Sequence, residues 1–184
     1  MLELNFTPFP ILTTARLILR QKTQADAHEM FFLRSDEMVM KYIDRPRAKT
    51  LQDATDFIEM ITTAICNNEG ITWAITHKDS PKLIGSIAIW RIDKENHRGE
   101  LGYVLHPHHQ GKGIMTEAIK AVTDFAFNTI NLHSLEANIN PENIASAKVL
   151  EHTGFVQEAY FRENYFYEGR FLDSAIYSLV KPKM

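Results

Sequence analysis

The chain of 184 residues has one cysteine, Cys66, which excludes an intramolecular disulfide and leaves no thiol pair for a zinc or redox centre, as suits a reducing cytosol. An excess of charge is missing too. With 20 Lys and Arg against 23 Asp and Glu, the formal net charge is -3 at pH 7, so no global field draws the protein to nucleic acid or to an anionic membrane. The apolar runs are far too short to cross a bilayer, and the opening MLELNFTPFP lacks a basic-then-apolar leader. A soluble, cytoplasmic protein is the expectation. Repeats, low-complexity tracts and long Gly/Ser/Pro linkers are absent, so nothing in the composition marks a domain boundary. What the chain does have is 45% hydrophobic residues, enough for a full core. One domain over 1–184, with a core from about 14 to 181, is expected.

Periodicity supplies the elements. The alternation RLILR from Arg16 to Arg20 predicts a strand with one solvated face, and Thr23 offers an N-cap for ADAHEMFFLR. Thr50 opens a second helix in which Leu51, Ala54, Phe57, Ile58, Ile61 and Ile65 recur at three- and four-residue steps, ended by Asn67, Asn68 and Gly70. Three β-branched runs follow, Ile71 to Thr76, Leu83 to Arg91 and Glu100 to Leu105, separated by turn-forming HKDSPK and DKENHRG. They predict an antiparallel meander. After Gly113 the pattern is helical, with Thr116 a candidate cap and Ala118, Ile119, Val122, Phe125 and Ala126 on one face, and Leu135 to Ile139 is the next strand. Asn143 to Thr153 is a helix stopped at Gly154, and Phe155 opens a final strand pair turning near Tyr167, Glu168 and Gly169. The fold class is α+β with one mixed sheet.

The stretch richest in chemistry is LGYVLHPHHQGKGIMTEA, Leu101 to Ala118, where a strand passes through a loop with Gly111 and Gly113 into a helix. Glycines let the backbone approach a ligand, and unpaired amides at the helix start favour negative charge, so a pyrophosphate is the natural guest. Lys112 is followed by Gly113, not by Ser or Thr, and no GxGxxG is present, so neither an ATP-type nor a dinucleotide loop fits.

QGKGIM followed by TEA, then NPENIASAKVLEHTGF, resembles the Gcn5-related N-acetyltransferase (GNAT) superfamily over most of the chain. The likeness is closest to the branch of ribosomal-protein N-terminal acetyltransferases, which also open with a strand like TARLILR and close with a segment like GFVQEAYFRENYFYEGRFLDSAIYSL. The resemblance implies a GNAT-like fold, a central mixed and mostly antiparallel sheet flanked by helices. It also implies that the amides of Gln110, Gly111, Lys112, Gly113, Ile114, Met115 and Thr116 cradle the coenzyme A pyrophosphate. Met115 departs from the usual Gly or Ala, which is tolerable if its side chain points away from the phosphates. It further implies that the strand end at Tyr103, Val104 and Leu105 splays from the next parallel strand, holding the pantetheine arm and polarising the thioester carbonyl. Asn143 would bond the pantetheine or the departing thiol, with Ser146 one turn later on the same face. Capping the helix after Pro141 is an equal role for Asn143.

Acetyl transfer needs a neutral amine, hence a base. The resemblance implies Glu100; the rival reading is a surface carboxylate paired with Arg98 or a lysine. The leaving thiolate needs a proton, yet the family's usual Tyr is Leu150 here. Tyr103, Tyr160, Ser134, Ser146 or bulk water are the replacements, and a thiol pKa of about 8.5 lessens the need for an acid. His106, His108 and His109 read as solvated loop histidines with no second cluster of ligand spacing, so no metal is expected. Cys66 reads as a buried helix residue, and Trp73 and Trp90 as strand core. Tyr160, Phe161, Tyr165, Phe166, Tyr167 and Phe171 read as core or sheet face with one or two in the acceptor pocket, and Glu37, Asp44 and Glu163 as candidate contacts to a cationic acceptor.

The resemblance thus implies an acetyl-CoA-dependent enzyme that passes the acetyl group directly to an amine. The acceptor is a protein N-terminus or a small amine such as a polyamine, an amino sugar or an amino acid. A non-catalytic acyl-CoA sensor is the reading from another class, and a nucleic-acid binder is disfavoured by the acidic balance. The chain is expected to act as a monomer or homodimer.

Overall fold

A computed structural model describes residues 2–183. Its frame is one eight-stranded sheet in the order β1-β2-β3-β4-β5-β6-β8-β7. The strands are β1 (Leu12–Thr13), β2 (Leu17–Arg20), β3 (Ile71–His77), β4 (Leu83–Asp93), β5 (Arg98–Leu105), β6 (Ser134–Ile139), β7 (Val156–Tyr167) and β8 (Arg170–Val180). β2 to β5 form the expected antiparallel meander. The pair β5 and β6 is parallel, and the remaining neighbours are antiparallel. That parallel pair requires a crossover, supplied by α4 (Ile114–Asp124) and the π-helical turn Phe125–Thr129.

The alternation of β3 assigns the two faces. Trp73, 0% exposed, meets Phe125 beyond α4 edge-on, with ring centroids 5.4 Å apart, in the larger core. Ala74 points the other way, into a smaller core with Met30 and Leu33 of α1 (Ala27–Ser35) and Ala54 and Ile58 of α3 (Leu51–Cys66). A short α2 (Glu37–Met40) links these two helices, and α5 (Ile144–His152) packs beside α4.

Local signals explain most boundaries. Thr50 and Asp53 form a reciprocal capping box at the start of α3. The hairpin from β7 to β8 turns through Glu168 and Gly169, at φ +47° and +82°, the left-handed pair that a two-residue turn needs. Two helix starts differ from expectation. Thr23 caps a 3-10 turn, Gln24–Asp26, because Asp26 is held by Arg20 at 2.7 Å, and α1 begins only after it. The helix after the glycine loop begins at Ile114 with Gly113 at its N-cap, so Thr116 lies inside the first turn. Cys66 is exposed at the end of α3, not buried.

Candidate active site

The site begins where two strands part. β5 pairs with β6 at Arg98, Gly99 and Glu100 only, opposite Ser134, Leu135 and Glu136. From Leu101 to Leu105, β5 keeps its partner β4 but has none on the β6 side, which leaves backbone polar groups along a wedge. The splay expected at Tyr103, Val104 and Leu105 is therefore present, and it starts one residue after Glu100.

At the far end of β5 the chain folds into the glycine loop. His106 N–H donates to the Ile84 carbonyl at 2.8 Å, and Pro107–His109 make a 3-10 turn. Gly111 and Gly113 stand at φ +71° and +73°, backbone that a side chain would strain. Gly113 presents no capping side chain, and the first helical bond runs from Glu117 N–H to the Gly113 carbonyl at 3.1 Å. The amides of Ile114, Met115 and Thr116 are thus the free donors of an 11-residue helix. Met115 is 6% exposed and belongs to the larger core, so its side chain leaves the loop open.

The side chains of the loop brace the backbone. Gln110 Nε2 donates to the Leu105 carbonyl at 3.2 Å and Lys112 Nζ to the His108 carbonyl at 2.8 Å. A strut that sequence reading missed comes from Arg16, whose Nη1 donates to the Lys112 carbonyl at 2.9 Å while its Nε pairs with Glu117 at 2.7 Å. The same Glu117 carboxylate accepts from Thr14 and from Arg16 N–H, and these contacts hold it below the usual carboxylate range against its partial burial. The TEA signature thus places a carboxylate that ties the loop to the N-terminal strands.

On the other side of the wedge opens a cleft of about 890 Å³ between the sheet and α1 and α3, extending to α5. Glu100 is 7% exposed, and its Oε2 accepts from Arg91 Nη1 at 2.9 Å. Burial pushes its carboxyl above the usual range, an effect that the Arg91 charge partly offsets. The rival reading of Glu100 is corrected: it is buried, and its partner is Arg91, while Arg98 pairs with Glu136. The Tyr103 hydroxyl shares a hydrogen bond of 2.6 Å with Ser146 Oγ, and burial pushes its phenol up to about 12. Asn143 caps α5 by accepting from Ser146 N–H at 3.1 Å and also lines the cleft. The capping role is the one observed; the cap uses Oδ1 and leaves the amide nitrogen unused by it.

Several expected positions lie elsewhere. Leu150 is 0% exposed in the larger core, so the place of the usual Tyr is filled with packing. Tyr160 binds Asp173 at 2.5 Å on a separate hollow, and Ser134 stands where β5 and β6 are still paired. Glu37 pairs with exposed Arg47, and Glu163 lines the Tyr160 hollow, so of the three carboxylates proposed for the acceptor only Asp44 lines the cleft. Asp44 accepts from the Tyr165 hydroxyl, and burial with that contact raises the phenol's pKa. Tyr160, Phe161, Phe166 and Phe171 are exposed on the hairpin of β7, the sheet's edge, and β8, so for them the sheet-face reading holds and the core reading does not. Trp90 is corrected as well: it is a cleft wall, with Arg45 and Arg91 guanidiniums 4.4 and 4.5 Å from its ring centre. Two of the loop histidines are partly covered. His106 stacks on Phe32 with ring centres 4.5 Å apart, and His109 meets His77 at 3.4 Å. Among the described residues no group of three or more His, Cys, Asp or Glu could hold a metal ion, and no helix is long and apolar enough to cross a membrane.

A strand that leaves its parallel neighbour and runs into a glycine loop and helix is the arrangement by which known proteins can be compared. The family profile described as acetyltransferase (GNAT) domain matches residues 16–156. The chain belongs to the GNAT acetyltransferase family. Over 175 residues it is 33% identical to the uncharacterised N-acetyltransferase YoaA of Bacillus subtilis, covering 95% of this chain and 99% of that one. It is 24% identical over 160 residues to the spermidine N(1)-acetyltransferase of Vibrio cholerae, covering 86% of this chain and 90% of that enzyme. The crystal structure of ribosomal-protein-S5-alanine acetyltransferase from Vibrio fischeri superposes with a TM-score of 0.82 at 26% identity, over 94% of this chain and 100% of the other. GNAT membership makes this protein an acetyl-CoA-dependent N-acetyltransferase, and the family's fold is the one described above.

Proposed function

We propose that this transferase passes the acetyl group directly from acetyl-CoA to a primary amine, with Glu100 as the base and Tyr103 as the proton donor. The observation that carries the reading is the parting of β5 from β6 at Glu100. One strand then bears, in order, a buried carboxylate, an unpaired backbone edge and the anion-binding loop.

Along β5 alternate side chains face opposite ways. Glu100 shares a face with Gly102 and Val104 toward α1 and α3, whereas Tyr103 shares one with Leu101 and Leu105 toward α4 and α5. A thioester lying in the wedge has a base on the acceptor side and a hydroxyl on the cofactor side. The free amides of Ile114 to Thr116 and the glycines before them take the pyrophosphate, and the open edge at Tyr103, Val104 and Leu105 takes the pantetheine amides. Asn143 and Ser146 line the same passage from α5. Glu100 removes the ammonium proton of the acceptor, and the amine nitrogen adds to the carbonyl carbon while negative charge builds on the oxygen beside the strand edge. As the intermediate collapses, the nitrogen gives up its second proton to solvent, the C–S bond breaks, and the sulfur takes the Tyr103 proton, which Ser146 and solvent restore. A phenol kept protonated to about pH 12 remains a donor throughout the working range.

Likeness to the ribosomal-protein acetyltransferase favours an α-amine acceptor. A polyamine suits the Arg34 and Arg45 part of the cleft poorly, since among the described residues neither arginine has a carboxylate at salt-bridge distance, while Asp44, Glu69 and Glu100 line the rest. The test is release of free CoA thiol from acetyl-CoA in the presence of short peptides of varied N-terminal residue and of small amines, amino acids included. Turnover of α-amines is expected. Release confined to spermidine and related amines would overturn the α-amine preference, and no release above the amine-free rate, with acetyl-CoA bound, would overturn the transferase reading.

A further inference from the structure

The cleft holds two arginines that, among the described residues, have no carboxylate at salt-bridge distance, although Asp44, Glu69 and Glu100 also line it. Arg34 of α1 lays its guanidinium 3.8 Å from the centre of the Phe57 ring, and its Nε is buried without a hydrogen-bond partner. Arg45 follows α2 in a loop fastened to α1 by the bond from Ala48 N–H to the Arg34 carbonyl at 2.8 Å. Its guanidinium stacks on Trp90, and among the described residues no carboxylate lies within salt-bridge distance of either arginine. The two cations also oppose each other. Burial and the nearby Arg45 charge lower the Arg34 pKa, and the Asp53 charge offsets this only in part. A third unanswered donor, Trp90 Nε1, is buried without an acceptor in the same cleft. A guanidinium with a buried, unpartnered nitrogen facing a second cation costs free energy unless an anion joins them, and a second buried orphan donor adds to that cost.

Glu100 cannot be that anion, because Arg91 holds it. Asp44 is engaged by Tyr165. The Arg45 charge nevertheless reaches Glu100, which places Arg45 near the carboxylate assigned the acceptor's ammonium proton. A molecule with an amine at one end and an anionic oxygen group at the other satisfies both: the amine at Glu100 and the anion between the guanidiniums. The planar guanidinium fork matches the oxygens of carboxylate and phosphate, and Trp90 backs Arg45 as a rigid wall.

Resting on the transferase reading above, we propose that the acceptor is a small amine carrying a carboxylate or phosphate, and that Arg34 and Arg45 select it. An amino acid and a phosphorylated amino alcohol are the two forms of this chemistry. Polyamines and neutral amines are discriminated against.

The decisive experiment measures kcat/KM with acetyl-CoA for acceptor pairs that differ only in the anion: glutamate and glutamine amide, alanine and alaninamide, phosphoethanolamine and ethanolamine. Spermidine and a peptide with an acidic second residue complete the series. The anionic members are expected to win by about tenfold or more, in line with charge-assisted pairing. Which pair shows the larger ratio separates carboxylate from phosphate. Arg45→Gln should remove the preference through KM, with Arg45→Lys restoring part of it; Arg45 is the residue of choice because its side chain is exposed and its loss does not open the core. Equal turnover of both members, or a preference for spermidine, overturns the inference and leaves the transferase intact. Preference confined to the acidic peptide overturns the small-molecule form. If no amine is acetylated by a protein that binds acetyl-CoA, calorimetry with N-acetylalanine and N-acetylalaninamide decides the anion site alone. Tighter binding of the more anionic compound, lost in Arg45→Gln, supports it, and equal binding overturns it.

Discussion

The two ends of β5 are built in opposite ways. The loop end is backbone: Gly111, Gly113 and the first amides of α4 come from consecutive residues, and the side chains there, Arg16, Gln110, Lys112 and Glu117, hold the carbonyls and one another in place. The Glu100 end is side chain. Its cleft draws Arg34, Asp44, Arg45, Phe57, Trp90 and Tyr165 from five separate segments. A backbone site tolerates substitution at most of its positions and recognises what every family member shares. A side-chain site changes with each replacement and can recognise something different in each member. If the two ends are separate in this sense, damage to one should leave the other's binding constant alone.

The largest effect should come from Glu100→Gln. Removing a general base typically costs about 10²- to 10⁴-fold, and kcat is expected to fall by about 100-fold or more while acetyl-CoA affinity, read by calorimetry, stays where it was. A fall in acetyl-CoA affinity of the same size as the fall in kcat would join the two ends and break the comparison. Near-normal kcat at neutral pH would remove Glu100 from the base's role.

Gly113→Val tests the other end. A β-branched residue at φ +73° is strained, and its Cβ would approach Arg16 Nη2 to 3.4 Å, so both the N-cap and its strut are disturbed. A rise of about tenfold or more in KM for acetyl-CoA is expected, since several charge-assisted amide contacts act together at that point. The KM for the amine should hold. If the amine KM rises and that for acetyl-CoA does not, the loop is not the cofactor's seat.

Tyr103→Phe probes the wedge between the ends. Phe keeps the packing against α5 and deletes the hydroxyl 2.6 Å from Ser146. Because a thiolate of pKa about 8.5 is already a fair leaving group, the loss in kcat should be modest, about three- to tenfold. It should shrink when a more acidic thiol replaces CoA in the thioester. A loss that ignores the leaving group would make Tyr103 structural only.

This division also explains what the sequence disclosed. The strand, glycine loop and helix are local, so QGKGIM and the β-branched runs located them, and the splay beginning after Glu100 appeared where the family likeness implied it. The cap at Gly113 was missed because a helix begun by glycine has no side-chain signal, and Thr116 drew attention for having one. The clasp from Arg16 to Glu117 spans 101 positions and leaves no periodic trace. Trp90 was misread for a different reason: alternation in β4 places it on a face, but only the path of α2 and the loop after it decides that this part of the face is a cleft. Leu150 was legible as an absence, and its burial at 0% exposure explains the substitution as packing without showing where the proton comes from. Neither arginine of the acceptor cleft stood out, since both belong to segments of ordinary composition.

Arg91→Gln should give the smallest change, and the most diagnostic. In the proposed role Glu100 acts as a base only when ionised, so the rate is expected to rise with pH through its pKa. Burial raises that pKa, and the Arg91 charge with its 2.9 Å hydrogen bond pulls it back down. Removing the guanidinium leaves burial opposed only by the weaker Arg45 field, so the folded-state pKa moves further up and the acid limb of kcat/KM shifts to higher pH. Arg91 is exposed and solvent screens it, which holds the expected shift to about one pH unit or less. Protonation of the acceptor amine adds a limb of its own, but the same amine is used with both proteins, so the difference between profiles belongs to Glu100. On the plateau above the limb the variant should recover most of the parent rate. A limb that moves to lower pH contradicts the ion pair, and one that does not move assigns it to another group. A matching profile for acetyl-CoA binding, unchanged by the substitution, would confine Arg91 to the acceptor end of the strand.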